Sequence, residues 1–162
     1  MKKVKLLLAA IFCTMAIYGQ KMNVEPNTKG TYAIDSIKIN APVDKVYSLI
    51  TDINDWPGWF SGVKEVKING KAEEGKPFVW KANGYKIRSV LHTVRANSCI
   101  GWTGKIWWIS AVHNWHFSSS SDGGTMVIVE ESFGGLGSAL MKSSLRKDMR
   151  NDLINLKKKS EI

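Results

Sequence analysis

The chain has 162 residues, 44% hydrophobic and 23% charged, with 23 Lys and Arg against 14 Asp and Glu for a formal net charge of +9. The apolar share is too high for a disordered chain, and the length suits a single domain with a core that needs no covalent staples. Two cysteines, Cys13 and Cys99, are too few for a disulfide scaffold or a four-cysteine zinc site.

Part of the charge belongs to the first twenty residues. Lys2, Lys3 and Lys5 precede an apolar run of 13 residues, Leu6 to Tyr18, which ends at Gly19-Gln20. This is the order of a secretory signal, and the run is shorter than the ~20 apolar residues of a spanning helix. Residues 1–19 are therefore expected to be a signal peptide cleaved after Gly19, with an uncleaved anchor as the rival, and the protein to be exported to the periplasm or secreted. A lipid anchor on Cys13 is disfavoured by Phe12, which stands where a small residue belongs. Without Lys2, Lys3 and Lys5 the mature chain keeps 20 basic and 14 acidic residues, net +6, and a single thiol. That thiol, Cys99, is expected to act as a small buried hydrophobe.

Residues 20–31 are polar, with Pro26 and Gly30, and read as a flexible lead-in to a domain spanning 32–162. Ala33 to Asn40 alternates as a first strand, and Asn40-Ala41-Pro42 opens a helix in which Val43, Val46, Tyr47, Leu49 and Ile50 recur at helical spacing. Asp52 begins a second short helical turn carrying Trp56-Pro57-Gly58-Trp59. Strand-like runs follow at Val63–Ile68, Pro77–Lys81, Tyr85–Val94, Ile100–Thr103, Ile106–Phe117 and Met126–Phe133, broken by turn signals that include Asn69-Gly70, Asn83-Gly84, Gly104 and Ser118–Gly124. Such short connections imply antiparallel neighbours. From Gly137 to Ser160, Leu140, Met141, Leu145, Met149, Leu153 and Leu156 recur at steps of three and four, which predicts one long amphipathic helix of roughly 22 residues and ~33 Å. Its C-terminal half carries Arg150 and Lys157 to Lys159, cations placed at the negative end of the helix dipole.

The order of these elements gives an α+β domain: a curved antiparallel sheet of about seven strands, two short helices after the first strand, and a long terminal helix packed across the sheet. In this order the chain resembles the SRPBCC superfamily of START-like, helix-grip proteins, and is most similar to its polyketide cyclase/dehydrase and lipid-transport branch. Four segments carry the resemblance: Ile39 to Tyr47; Asp52 to Trp59, with Trp56-Pro57 and Trp59; His113, Trp115 and Phe117 before the turn to Gly124-Thr125; and Glu131, Phe133, Gly135 and Leu136. It implies a ligand pocket between the sheet and the terminal helix, and it permits cyclase or dehydratase chemistry.

The turn at Ser118–Gly124 fixes a candidate register. With Phe117 opposite Val127, Trp115 faces Val129, His113 faces Glu131 and Ala111 faces Phe133. A histidine and a carboxylate then stand ~5 Å apart on an otherwise apolar face and would hydrogen-bond. His113 and Glu131 are the candidate catalytic or anchoring pair, read either as acid/base machinery or as a cross-strand pair that satisfies itself. Strand residues Trp80, Trp102, Trp115, Phe117 and Phe133 join His113 as expected ligand-binding residues, with Met141, Leu145 and Met149 on the helix. Trp107 and Trp108 are adjacent, so on a regular strand one of them faces outward.

Other chemistries find little support. The three histidines His92, His113 and His116 lack strand-compatible metal spacing, the serine run 118–121 suits a turn, and the glycines before the last helix lack the lysine of a phosphate loop. No metal or cofactor is expected. The expected partner is a small hydrophobic ligand. A nucleic-acid partner is not expected, because the basic residues form no stripe; a weak contact between the basic helix end and an anionic membrane surface is the minor alternative. No residue pattern specifies an oligomeric state.

Overall fold

Side-chain alternation along seven segments builds one antiparallel sheet, and a computed structural model describes its arrangement for residues 21–162. The expected signal peptide, its cleavage point and Cys13 lie outside the described residues. The strands are β1 (Thr31–Ile39), β2 (Val63–Lys67), β3 (Pro77–Ala82), β4 (Tyr85–Arg95), β5 (Cys99–Ile106), β6 (Ile109–Ser119) and β7 (Thr125–Gly134). Their spatial order is β1-β7-β6-β5-β4-β3-β2, so consecutive hairpins run from β2 to β7 and the first strand returns to pair with the last. Helix α1 (Val43–Thr51) and a 3-10 turn at Ile53–Gly58 fill the crossover from β1 to β2.

The inner face of the sheet and the helices share one apolar core. Val46, Tyr47 and Ile50 of α1 and Leu153 and Leu156 of the terminal helix close over Ile39, Phe117 and Val127. Trp56, fully buried, is the hub of an aromatic cluster: its ring lies 4.9 Å from Phe60, 5.1 Å from Trp102 and 5.6 Å from both Phe78 and Trp80. Its indole N–H donates to the carbonyl of Ile50 at 3.0 Å, which binds the 3-10 turn to α1. Cys99 is fully buried, and burial pushes its thiol up.

Two elements differ from expectation. The predicted terminal helix divides into a 3-10 turn at Ser138–Met141 and helix α2 (Lys142–Ser160), so Leu140 is 88% exposed instead of extending the apolar stripe. The stripe itself, Leu145, Met149, Leu153 and Leu156, is buried against the sheet. The second difference lies between β5 and β6. Gly104 was expected to break the chain there, yet it sits inside β5, and the reversal is made by Trp107-Trp108, with Ile106 paired to Ile109. Both tryptophans are therefore exposed, not one, because they form the turn and not a strand.

The polar lead-in is laid across the outer face of the sheet. Met22 is buried there, Asn23 N–H donates to Thr93 Oγ1 at 2.9 Å, Asn114 Nδ2 donates to the Val24 carbonyl at 3.0 Å, and Asn27 N–H donates to Ser132 Oγ at 3.0 Å. Polar composition alone gives no sign of these contacts, since asparagine side chains and backbone make most of them.

Candidate functional site

Side chains do not fill all of the space between sheet and α2. Toward the end where β5 turns into β6, a cavity of about 570 Å³ remains. Small residues make the room: Gly104 and Ala111 are cross-strand neighbours on its floor, between the larger Ile87 and Phe133. Trp80, Trp115 and Val129 form further wall, Phe60 and Ser61 enter from the loop after the first 3-10 turn, and Met141, Leu145 and Met149 close the roof.

The β6–β7 register pairs Phe117 with Val127, Trp115 with Val129, His113 with Glu131 and Ala111 with Phe133. His113 Nε2 lies 2.9 Å from Glu131 Oε1, with both side chains about one-tenth exposed (13% and 10%). The imidazole also stacks on Trp102, its neighbour on β5, with ring centroids 5.1 Å apart and planes 15° apart, and meets the edge of Trp80 at 6.3 Å. Three strands thus fix the ring plane of one histidine on an apolar wall.

Of the residues singled out from sequence, Trp80, His113, Trp115, Glu131, Phe133, Met141, Leu145 and Met149 line the cavity. Trp102 and Phe117 do not. Trp102 is fully buried behind His113 in the aromatic cluster, and Phe117 packs edge-on to Tyr47, ring centroids 5.4 Å apart, at the filled end of the sandwich. Both occupy the inner face as their alternation requires, but the cavity opens at only one end of that face.

Sequence reasoning missed Asp152 and Asp148, which reach the cavity from α2. Asp152 is 7% exposed, and its Oδ1 accepts the Ser61 N–H at 2.8 Å, tying the helix to the loop beneath. Burial, followed by the negative charges of Glu131 and Asp148, pushes its carboxyl well above the usual carboxylate range, against the lowering effect of the Ser61 hydrogen bonds. Burial also raises Asp148. The signal was present in the spacing, since Leu145, Met149, Asp152 and Leu156 recur at helical intervals, so an acid occupies the apolar stripe. Chemically, the site offers a fixed imidazole–carboxylate pair and a carboxyl shifted toward its protonated, hydrogen-bond-donating form. Among the described residues no three His, Cys, Asp or Glu side chains cluster as a metal site would need.

Residues 33–161 match the model of the family described as polyketide cyclase / dehydrase and lipid transport. The chain belongs to this family. Its fold recurs in a hypothetical protein from Helicobacter pylori, with TM-score 0.73 and 13% identity over 87% of this chain and 98% of that one. A START superfamily protein from Mycobacterium smegmatis gives TM-score 0.69 at 11% identity, covering 80% of this chain and 97% of its own. An aromatase/cyclase from a Streptomyces species gives 0.66 at 13% identity, covering 80% of this chain and 93% of its own. At these identities the likeness is one of fold. Comparison with curated proteins gave no match.

Proposed function

We propose that the protein is an exported carrier or binding protein for a small hydrophobic or amphipathic molecule, lipid-like or polyketide-like, held between the sheet and α2. One observation carries the reading: a cavity of about 570 Å³ whose walls are mostly apolar, with His113, Glu131 and Asp152 on its inner side and Lys147 and Asp148 among its other polar lining residues. That volume falls in the ~300–1,000 Å³ range of small-molecule sites, which are built in this way. A carbonyl, carboxyl or hydroxyl end of the ligand would meet the polar side chains, while its body lies on Trp80, Trp115 and Phe133. Membership of a family described by cyclase, dehydrase and lipid-transport activities supports a ligand of this class. Export rests on the basic, apolar, small-residue order of residues 1–20.

Native mass spectrometry of protein purified from cells tests the carrier. A co-purifying lipid-like mass is expected, and it should be absent from Ala111→Trp, which fills the floor. An empty wild-type protein that also fails to bind a fluorescent fatty-acid probe overturns the reading. Export is tested by cell fractionation with an intact-mass measurement; a full-length cytoplasmic chain overturns that part.

The second reading is an enzyme of the polyketide cyclase/dehydrase type. It is favoured by the His113 ring, which Glu131 orients and Trp102 holds flat, as a positioned acid or base must be. His113→Ala should abolish turnover of an aromatic polyketone while the fold persists; unchanged turnover removes the role.

A further inference from the structure

The cavity opens at the end of the sheet where the largest exposed apolar side chains gather. Trp107 is 70% exposed, Trp108 63%, Leu136 84% and Leu140 88%. They form one patch: the two indoles stack with centroids 5.6 Å apart, Tyr85 meets Trp107 edge-on at 6.0 Å, and Trp108 Nε1 donates to the Leu136 carbonyl at 3.2 Å. Gly135 lets the loop lie this close, because a Cβ there would stand 2.2 Å from the Trp108 carbonyl oxygen. Leu140, Ile106 and Ile109 belong to the cavity lining, so patch and cavity mouth are continuous.

Two local rules are broken at this tip. Trp107 adopts φ +50° in a two-residue turn, where glycine or asparagine is the ordinary occupant and a bulky aromatic is strained. Arg88 and Lys105 stand directly opposite each other on β4 and β5, a like-charge pair that destabilises a sheet. Both costs fall where exposed indoles sit, and strain and misplaced charge concentrate at functional surfaces. The charge is segregated as well. The segments 83–91, 99–110 and 133–147, which build the outer part of this end, contain Lys86, Arg88, Lys105, Lys142, Arg146 and Lys147, and the nearest acids, Glu131 and Asp148, belong to the cavity lining, where burial raises the Asp148 carboxyl. None of the six is in an ion pair among the described residues, whereas Lys157 at the other end of α2 is paired with Glu161.

We propose that this end is a membrane-docking surface, in which the Trp107-Trp108 turn, Leu136 and Leu140 enter the interfacial layer of an anionic bilayer and the surrounding lysines and arginines face its headgroups. Tryptophan is the side chain of choice at such an interface, with an apolar ring system and one wet N–H, and basic residues beside it are drawn to anionic lipid. The expected contact therefore moves from the basic C-terminus of the helix to the mouth of the cavity. Docking there would bring the mouth to the bilayer, although the binding itself requires no ligand in the cavity.

The remaining five tryptophans are at most 7% exposed, so quenching of intrinsic fluorescence by brominated phosphatidylcholine reads Trp107 and Trp108. Full-length protein is mixed with vesicles of brominated phosphatidylcholine, with or without phosphatidylglycerol. The comparison is with W107N/W108G, which installs the favoured hairpin turn and keeps the strands paired. Both proteins carry the same N-terminal segment, so the difference between them reports the tip. Quenching on anionic vesicles is expected for the wild type, weakening with salt; co-sedimentation with the vesicles, which needs no exposed tryptophan, should give a partition coefficient about tenfold or more lower in W107N/W108G and in K86Q/K105Q. Equal vesicle binding by wild type and both variants overturns the proposal. So does sedimentation showing a wild-type dimer that W107N/W108G dissolves, with no lipid quenching, because the patch is then an interface between copies. Loss of ligand mass with docking intact would count against the carrier reading alone.

Discussion

His113 and Glu131 are direct neighbours across β6 and β7, their Nε2 and Oε1 atoms 2.9 Å apart, on a face otherwise made of Ala111, Trp115, Phe117, Val127, Val129 and Phe133. The next residue back, Glu130, points to the opposite face and meets His116 Nε2 at 3.5 Å and the Tyr32 hydroxyl at 2.7 Å. Adjacent glutamates thus serve two layers, one under the cavity and one under the lead-in.

Removing one member of the inner pair leaves the other polar group stranded in an apolar wall. Glu131→Ala should lower stability in urea unfolding by about 3 kcal/mol, the scale for breaking a buried pair. The double replacement His113→Phe with Glu131→Leu should recover most of that loss, because no polar group is then left without a partner. It should at the same time weaken binding of any ligand with a polar end. A double variant as unstable as Glu131→Ala would show that the pair is intrinsic to the fold and not an inserted polar anchor.

Asp152 gives a pH dependence of definite sign. Its carboxyl holds a proton more tightly in the folded chain than in the unfolded one, so the folded state carries more protons between the unfolded value near 3.8 and the raised folded value. Stability contributed by that proton is complete below pH ~4 and is lost as pH rises through the folded value. Asp152→Asn keeps an oxygen for the Ser61 N–H and removes the titration. Calorimetric melting temperatures at a series of pH values should show the variant gaining on the wild type as pH rises above 4. A constant difference across the series would place the proton elsewhere.

Strand pairing and the His113–Glu131 register were legible because Ser118–Gly124 carries ordinary turn chemistry between two strand-like runs, so one pair across the turn sets all the others. Trp107-Trp108 was not legible as a turn. Two aromatic residues between isoleucines read as strand, and only the pairing of Ile106 with Ile109 reveals the reversal. Gly104 misled in the opposite direction: its missing side chain makes cavity volume and not a break. Asp152 broke the helix pattern in a visible way, but one acid in an apolar stripe has no meaning until Ser61 is placed beneath it.

The turn itself makes a prediction about stability. Trp107 stands at φ +50°, a conformation that costs a non-glycine residue of order 1–3 kcal/mol. Trp107→Asn tolerates that conformation and gives up the ring contacts to Tyr85 and Trp108, which are solvent-exposed. The variant should unfold at a higher temperature than the wild type, by a margin corresponding to about 1 kcal/mol. A lower melting temperature would mean that the exposed ring stack outweighs the backbone strain.

His92 links pH to the lead-in. It sits at the irregularity between Leu91 and Thr93, and Nδ1 is 2.9 Å from Thr93 Oγ1, the atom that also accepts the Asn23 N–H. Nε2 is buried. Burial lowers this histidine to about 4; Glu74 and Asn114 oppose the shift, and His113 adds to it. The unfolded chain takes up this proton near pH 6.5 and the folded chain near 4, so the stability present above 6.5 is lost as pH falls through that window. Glu130, held below the usual range chiefly by the His116 hydrogen bond, loses its contribution only below its ordinary value of 4.5, which separates the two effects. Amide exchange of residues 22–27 should accelerate between pH 6.5 and 4 beyond the intrinsic chemical dependence, and His92→Gln should flatten that response. Gly101→Ala offers an independent check, since its Cβ would stand 2.4 Å from His92 Cε1 and 2.7 Å from Met22 Cε and should free the same segment at every pH. Exchange in residues 22–27 that follows the intrinsic rate in all three proteins would mean that the lead-in is not held by this cluster.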